Sequence, residues 1–256
     1  MTKKSFSSIL QGSQPVIGSW IQTGSPVAAE ILANAGFQWL GLDCEHTSSD
    51  ISTVESIARS IQGTDTTLLV RVSQCDPLEI RRCLDVGASG VIIPLVESAE
   101  QIKIAISAAK YPPRGTRGYG FGRMNKWGLE FEKYAATADE QSIVIAMIES
   151  RHAVDNIDSI ISVPGLNGIF IGPYDLSASY GIAGQLQHEL LRKAYQTVMQ
   201  ACQRKGIPAG QHIVHSSREK IQEAVASGFR LICLDADTIF MTHAAANVLQ
   251  LVDRCK

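Results

Sequence analysis

Short apolar runs alternate with amphipathic segments along most of the chain. Eight runs of five to seven residues are rich in aliphatic and β-branched side chains, which is typical of buried parallel strands. These predicted strands cover residues 16–21, 38–43, 67–73, 90–95, 143–148, 168–172, 207–211 and 230–235.

The segments between these runs carry apolar residues at three- and four-residue intervals, which predicts helices. Two of them begin at Ser25-Pro26 and Asp76-Pro77 and stop before Gly36 and Gly87, as capped helices do. The predicted helices cover residues 25–35, 77–86, 98–109, 151–162, 187–204, 217–227 and 237–252. Eight strands alternating with helices predict an α/β protein, a single (β/α)8 TIM barrel spanning 1–256.

One connection is much longer than the others. Residues 111–128 are rich in Gly, Arg and aromatic side chains and precede the fifth strand near residue 143. We predict a long loop at about 111–142 that covers the substrate or contacts another subunit.

Composition narrows the choice of partners. The 256 residues carry 23 Lys and Arg against 25 Asp and Glu, with no basic cluster, which argues against nucleic acid as a partner. No apolar stretch reaches the length of a membrane span, and the first ten residues lack the core of a signal peptide. The cysteines are scattered without a C-x-x-C pair, which predicts reduced thiols and a cytoplasmic location; they are Cys44, Cys75, Cys83, Cys202, Cys233 and Cys255. The expected partner is a small molecule.

Polar side chains cluster where the predicted strands end. In a (β/α)8 barrel the carboxyl ends of all strands meet at one face, where the chemistry takes place. The polar residues at these ends are Asp43, Glu45, His46, Arg71, Glu149, Asp175, Gln211, His212 and Asp235.

Glu149 and Asp175 terminate neighbouring strands and are candidate metal ligands. Two carboxylates, with water and substrate oxygens in the other positions, are a usual way to hold Mg²⁺ or Mn²⁺. The alternative is that each residue caps a helix or forms a salt bridge. The pair together favours the metal.

His46 and Arg71 are candidates for catalysis. The pKa range of histidine suits His46 to proton transfer, with Asp85 as the group that orients its imidazole, unless Asp85 is a solvated helix residue. Arg71 lies within an apolar strand and must face an anion, which is either a substrate oxygen or a structural carboxylate.

The turn 172–177 permits close backbone approach at Gly172, and amides near residues 174–175 suit a substrate carboxylate. His212 and His215 are interpreted as loop residues or residues behind the site. Cys44 is interpreted as a packed thiol rather than a nucleophile.

Six segments together resemble the HpcH/HpaI-type class II 2-oxo acid aldolases, which include 4-hydroxy-2-oxoheptanedioate and 2-dehydro-3-deoxyglucarate aldolases. The resemblance covers nearly the whole chain in the same order. The segments are Leu42-Asp43-Cys44-Glu45-His46, Val70-Arg71-Val72, Leu84-Asp85-Val86-Gly87-Ala88, Tyr111-Pro112-Pro113-Arg114-Gly115-Thr116-Arg117-Gly118, Ile148-Glu149 and Phe170-Ile171-Gly172-Pro173-Tyr174-Asp175-Leu176-Ser177.

The resemblance implies a barrel of the phosphoenolpyruvate/pyruvate-binding type, usually a hexamer, that cleaves a 4-hydroxy-2-oxo acid to pyruvate and an aldehyde. It implies a divalent cation, Mg²⁺ or Mn²⁺ with Co²⁺ as a further candidate. Glu149 and Asp175 correspond to the metal ligands, and Glu45 to the partner of a metal-bound water. Arg71 corresponds to the residue that stabilises the enolate, and His46 with Asp85 to the acid/base pair.

The resemblance also implies that the turn Gly172-Pro173-Tyr174-Asp175 holds the pyruvate carboxylate. The chain departs from the family in two places. Met147 stands where the family usually has Gln, and the segment 121–128 differs, although Arg123 within it is a candidate for contact with the distal part of the substrate.

Two other functions stay open. One is a condensing enzyme like the citrate synthases of siderophore biosynthesis, which use oxaloacetate and an acyl thioester; Met147 and the altered segment 121–128 favour it. The other is a barrel that binds a ligand without catalysis. The complete set His46, Arg71, Glu149 and Asp175 argues against the latter.

Overall fold

The computed structural model describes residues 5–253; residues 1–4 and 254–256, which include Cys255, lie outside that range. Eight parallel strands close into a barrel in chain order, and the last strand pairs with the first. The strands are β1 Val16–Ile21, β2 Trp39–Asp43, β3 Thr67–Arg71, β4 Gly90–Ile93, β5 Ile143–Ile148, β6 Gly168–Ile171, β7 Ala209–Ile213 and β8 Leu231–Ala236. The predicted (β/α)8 barrel is confirmed.

The helices follow the strands in the expected alternation, with extra short helices. They are α1 Phe6–Leu10, α2 Pro26–Asn34, α3 Ile51–Ser60, α4 Pro77–Asp85, α5 Ala99–Ala109, α6 Phe131–Gln141, α7 Arg151–Asp155, α8 Ile157–Ile161, α9 Pro173–Ser179, α10 Glu189–Lys205, α11 Arg218–Ala226 and α12 Asp237–Asp253. Each predicted helix is present, although the one predicted at 151–162 is divided into α7 and α8.

Helix α3 was not among the predicted helices, yet its start has a clear signal. The Asp50 carboxylate accepts the backbone N–H groups of Ser52 and Thr53, and the Thr53 hydroxyl accepts the N–H of Asp50. This reciprocal capping fixes the first turn. The apolar face that follows, Val54, Ile57 and Ala58, is buried against the barrel.

Alternation along the strands explains which side chains point into the barrel. Successive residues of a strand face opposite sides, so every second residue points inward. The interior is filled by large side chains, and α1 closes the amino-terminal end with Phe6 and Leu10. The main interior residues are Val16, Trp20, Trp39, Leu69, Ile92, Ile145, Met147, Phe170, Leu231 and Cys233.

The same alternation carries the polar residues inward at the other end. Residues separated by an even number of positions along a strand face the same side. Asp43 therefore faces inward like Trp39, Arg71 like Leu69, and Glu149 like Met147. These three side chains therefore lie above the packed interior, at the carboxyl ends of the strands. The strands' opposite faces pack against the helices in a second, larger apolar cluster.

The segment 111–142 differs from the predicted loop in structure and in position. It contains a 3-10 turn at Arg123–Asn125 and the helix α6. Arg117 donates a hydrogen bond to Asp85 at the end of α4. Arg123 donates one to the backbone carbonyl of Ala58 near the end of α3.

Helices of a (β/α)8 barrel run antiparallel to its strands. Their carboxyl-terminal ends therefore lie at the face of the barrel where the strands begin, the amino-terminal face. The segment 111–142 therefore lies opposite the cluster of polar residues. The predicted role as a cover over the chain's own substrate is wrong, and contact with another subunit stays a prediction. Within residues 5–253, no helix combines the length and apolarity needed to cross a bilayer.

Candidate active site

The turn after β2 is organised by one buried carboxylate. Asp43 is fully buried, and its Oδ1 accepts the backbone N–H groups of Glu45 and His46, each at 3.1 Å. The Thr47 hydroxyl donates to the backbone oxygen of Asp43. These bonds hold the turn tightly and present Glu45 and His46 at the barrel mouth.

Arg71 is fixed by two carboxylates and one ring. Its Nε and Nη2 donate to Asp43 at 3.0 and 2.6 Å, a bidentate pair, and its Nη1 lies 3.2 Å from Glu45 Oε2. The guanidinium carbon lies 4.9 Å from the ring centre of Trp20. The sequence left open whether Arg71 faces a substrate oxygen or a structural carboxylate. In the structure two carboxylates are the anions that this largely buried guanidinium requires. Although it is paired with these carboxylates, the positive charge of Arg71 lies at the barrel mouth, next to Glu45.

Glu149 is a buried carboxylate at the end of β5. Only 3% of the residue is exposed, and its Oε1 accepts the backbone N–H of Leu95 at 2.6 Å. Burial raises the pKa of Glu149 to about 7, the Leu95 amide lowers it, and the charges of Glu45 and Asp175 raise it again. A cation beside Glu149 would relieve this destabilisation of the charged form.

The turn after β6 approaches Glu149 closely. A Cβ on Gly172 would lie 2.6 Å from Glu149 Oε2, so a larger residue at this position would displace the carboxylate. Helix α9 follows directly, with Pro173 in its first turn and no side-chain cap, and Asp175 is exposed in that turn. The charge of Asp175 raises the pKa of both Glu149 and Glu45, which places the three carboxyl groups in one electrostatic cluster.

This cluster fits a divalent cation with an incomplete protein shell. Glu45 Oε2 is buried and has no hydrogen-bond partner, although it lies within ion-pair distance of Arg71 and His46. Burial raises the pKa of Glu45, as expected for a carboxylate that lacks enough positive charge around it. Among residues 5–253 no group of three or more His, Cys, Asp or Glu side chains has the arrangement of a metal site. Two protein ligands with water and substrate oxygens are the remaining arrangement, which is common for Mg²⁺.

His46 and Asp85 do not form the expected pair within the chain. His46 is exposed at the mouth, with Nε2 3.5 Å from Glu45 Oε2. Asp85 Oδ1 instead accepts Arg117 Nη2 at 2.8 Å, at the opposite face of the barrel. The prediction that Asp85 orients His46 is wrong for a single chain. Asp85 is the last residue of α4, and this end of the helix lies at the amino-terminal face of the barrel, away from His46.

Arg123 is also placed away from the mouth. Its Nη2 donates to the Ala58 carbonyl and to Gln62 Oε1, both at 2.9 Å. Within one chain this guanidinium therefore does not reach a substrate bound near Glu149, and the predicted contact is not made there.

Sequence reasoning missed two side chains that face the site. Trp20 supports Arg71, and His212, interpreted as a loop or background residue, lies on β7 with its ring 6.5 Å from that of Trp20. Strand parity identifies both, since Trp20 follows Val16 and His212 pairs with the inward-facing Cys233. Cys44 is a packed thiol, and burial raises its pKa to about 12.

A closed parallel barrel with a buried acid, an arginine and an exposed histidine at the carboxyl ends of its strands defines an enzyme of the (β/α)8 class. The sequence profile of the HpcH/HpaI aldolase/citrate lyase family matches residues 16–244. The chain belongs to this family. Membership confirms the expected enzyme class, a carbon–carbon lyase of the aldolase type.

Individual relatives agree over almost the full length. A 4-hydroxy-2-oxo-heptane-1,7-dioate aldolase of Shigella sonnei is 34% identical over 245 residues, which are 95% of this chain and 92% of the relative. The crystal structure of a family member from Burkholderia cenocepacia superposes with a TM-score of 0.91 at 32% identity, covering 96% of this chain and 98% of the other. The citrate synthase SbnG is more distant, with a TM-score of 0.85, 26% identity and 98% of both chains covered.

Proposed function

We propose that this protein is a divalent-metal-dependent aldolase that reversibly cleaves a 4-hydroxy-2-oxo acid to pyruvate and an aldehyde. The observation that carries the proposal is the buried Glu149 at the barrel mouth, influenced by the charges of Asp175 and of Glu45, which pairs with Arg71, on a barrel of an aldolase family. Three carboxyl groups and one guanidinium leave excess negative charge, which suits a cation and an anionic 2-oxo acid together.

Glu149 and Asp175 would hold the cation, Mg²⁺ or Mn²⁺ with Co²⁺ as a further candidate, and Glu45 would bind a water beside it. When bound, the cation supplies Lewis acidity and a template for the 2-oxo acid. The turn Gly172-Pro173-Tyr174-Asp175 would hold the pyruvate carboxylate, because the first turn of α9 has no side-chain cap.

Cleavage requires one proton transfer and one stabilised anion. His46, exposed beside Glu45, accepts the proton of the C4 hydroxyl as the C3–C4 bond breaks, and the aldehyde leaves. The bonding electron pair moves onto the pyruvate fragment as its enolate. Arg71, fixed by Asp43, stabilises the enolate oxygen, and a proton delivered to C3 completes pyruvate.

The active form we propose is a homo-oligomer, and the family resemblance makes it a hexamer. Every residue from Met241 to Val252 on α12 is exposed, and this stretch contains no charged side chain. Among these residues Val248, Leu249 and Leu251 are each more than half exposed. A helix with so wide an exposed apolar face needs a cover, and the same surface on a second copy is the simplest one. The cytoplasmic location inferred from the cysteines stays a prediction.

A direct assay separates this proposal from the citrate synthase alternative. The protein, stripped of metal with EDTA and dialysed, is incubated with a 4-hydroxy-2-oxo acid with and without Mg²⁺ or Mn²⁺, and released pyruvate is measured with lactate dehydrogenase. Pyruvate release that requires the metal supports the aldolase. Citrate formation from oxaloacetate and an acyl thioester, without pyruvate release, would overturn the proposal in favour of the condensing enzyme.

A further inference from the structure

His212 occupies the wall of the barrel mouth, and the proposed cleavage chemistry does not use it. It lies on β7 opposite Cys233 of β8, and Cys233 belongs to the barrel interior. Its ring meets Trp20 edge to face, at 6.5 Å between ring centres and 76° between planes. The guanidinium of Arg71 lies over the same Trp20. His212 and Arg71 are therefore both neighbours of Trp20 at the barrel mouth.

The hydrogen bond of His212 determines which nitrogen carries the proton. Nε2 lies 2.9 Å from the backbone oxygen of Asp235, which can only accept. Nε2 is therefore protonated. Burial lowers the pKa of His212; the hydrogen bond to the Asp235 backbone and the charge of Asp235 raise it by less, and the charge of Arg71 makes the smallest contribution, which lowers it. The imidazole is thus neutral, and Nδ1 has a free lone pair.

Nδ1 is the unused polar atom of this wall. It forms no hydrogen bond with any residue from 5 to 253. It is also not among the side-chain atoms that are sealed from solvent without a partner. Nδ1 therefore keeps contact with solvent, as an acceptor that cannot donate.

The charges around this wall disfavour an anion next to Nδ1. Asp235 is buried directly beside His212, and Arg71 is already paired with Asp43 and Glu45. The ammonium of Lys220, beyond the end of β7, is bound to the carbonyl oxygens of Val214 and His215. A neutral ligand group that donates a hydrogen bond is the complement to this surface.

We propose that His212 determines specificity for the aldehyde, by accepting a hydrogen bond at Nδ1 from a hydroxyl group of a neutral hydroxyaldehyde. The inference rests on the proposed aldolase function. It selects an aldehyde with a hydroxyl beside the carbonyl over the same aldehyde without one, and over a semialdehyde that ends in a carboxylate. The relative from Shigella sonnei is named for a dioate, so this preference would distinguish the two proteins.

The test compares kcat/KM for the addition of pyruvate to glycolaldehyde and to acetaldehyde, which differ by one hydroxyl. We expect the wild-type protein to prefer glycolaldehyde by roughly 3- to 10-fold, the size of one hydrogen bond. His212→Gln keeps a donor near Nε2 but loses the acceptor at Nδ1, so its preference should fall to about one. His212→Asn keeps an acceptor near the position of Nδ1 and should retain part of the preference for glycolaldehyde.

The matched control is His152→Gln on the exposed surface of α7, which should keep the wild-type ratio. A ratio near one in the wild type, a ratio unchanged in His212→Gln, or a preference for a carboxylate-terminated semialdehyde would overturn the inference. Wild-type exchange of the pyruvate methyl protons in D₂O needs no aldehyde. Its absence would instead refute the aldolase proposal, so the two failures are distinguishable.

Discussion

Asp43 is the residue on which the geometry of the mouth depends. One oxygen accepts two backbone N–H groups of its own turn, and both oxygens bind Arg71. A single buried side chain therefore sets the positions of Glu45, His46 and Arg71. Its role is that of a positioning residue, because its side chain is fully buried and enclosed by these contacts.

We predict that Asp43→Asn lowers kcat far more than it raises KM. The amide keeps an acceptor for the turn but loses one of the two bonds to Arg71, so the guanidinium is free to shift. A misplacement of about 1 Å at a reacting group costs on the order of 100-fold in rate. Steady-state cleavage kinetics measure the effect, and an unchanged kcat would contradict it.

The control for this variant is Asp158→Asn. Asp158 also pairs with an arginine, Arg204, at 2.9 Å, but both side chains are exposed on the outer helices. Exposed pairs contribute little, so kinetics and stability should stay close to wild type.

The residues of the site could be predicted from the sequence, but several of their partners could not. The ends of β2, β3, β5 and β6 follow from apolar runs, which identified Arg71, Glu149 and Asp175 as neighbours. Asp85 was a candidate to orient His46 from its place late on a predicted helix and from the resemblance, and Arg123 was a candidate for substrate contact from the resemblance. The helix α4 carries Asp85 to the opposite face, although its length was predicted, and the path of residues 111–142, which no local pattern encodes, carries Arg123 there.

At the scale of elements, the caps decide where helices begin. Serine or aspartate precedes α2, α3, α4 and α5, and each side chain accepts N–H groups of the first turn. The Asp-Pro and Ser-Pro starts were readable because proline fixes the first helical residue. Asp50 before α3 lacks that signal, and the helix was missed although its carboxylate binds two amides.

We predict that Asp50 makes the stability of the protein pH-dependent in the acid range. Hydrogen bonds from Ser52 and Thr53 lower its pKa from 3.8 to about 2. A lowered folded-state pKa stabilises the charged form, so the contribution is complete above the unfolded pKa and is lost as the pH falls towards 2. Asp50→Asn keeps a capping oxygen without a charge.

Melting temperatures are measured by circular dichroism. Between pH 5 and pH 3 the melting temperature of the wild type should therefore fall further than that of Asp50→Asn. A difference that is constant with pH would contradict the assignment. Asp50→Ala, which has no capping oxygen, should melt a few degrees lower than Asp50→Asn at every pH.

At the scale of the whole molecule, two apolar surfaces face solvent in the single chain. One is the exposed length of α12, and the other includes Tyr119, Phe121, Trp127 and Leu129 at the amino-terminal face of the barrel. Exposed apolar patches of this kind mark sites of association. The sequence predicted the helix α12 but not its exposure, because a periodic apolar helix normally packs on its own barrel. Residues 111–142 were predicted as a loop that covers the substrate or contacts another subunit.

We predict that Leu249→Glu on α12 dissociates the assembly. A carboxylate placed in an apolar contact between copies is buried without a partner, which strongly opposes association. Sedimentation velocity should show a smaller species than the wild type. Asn247→Glu is the matched control on the same exposed helix. Wild-type protein that sediments as a single chain would contradict the proposal.

We propose that Glu149 and a divalent cation activate pyruvate, and exchange of the pyruvate methyl protons in D₂O reports on that activation without an aldehyde. NMR should show exchange in the presence of Mg²⁺ or Mn²⁺, none after metal removal, and none in Glu149→Gln with metal restored. Glu100→Gln, an exposed carboxylate on α5, serves as the control and should exchange like wild type. Exchange that proceeds equally well without metal, or in Glu149→Gln, would contradict the account.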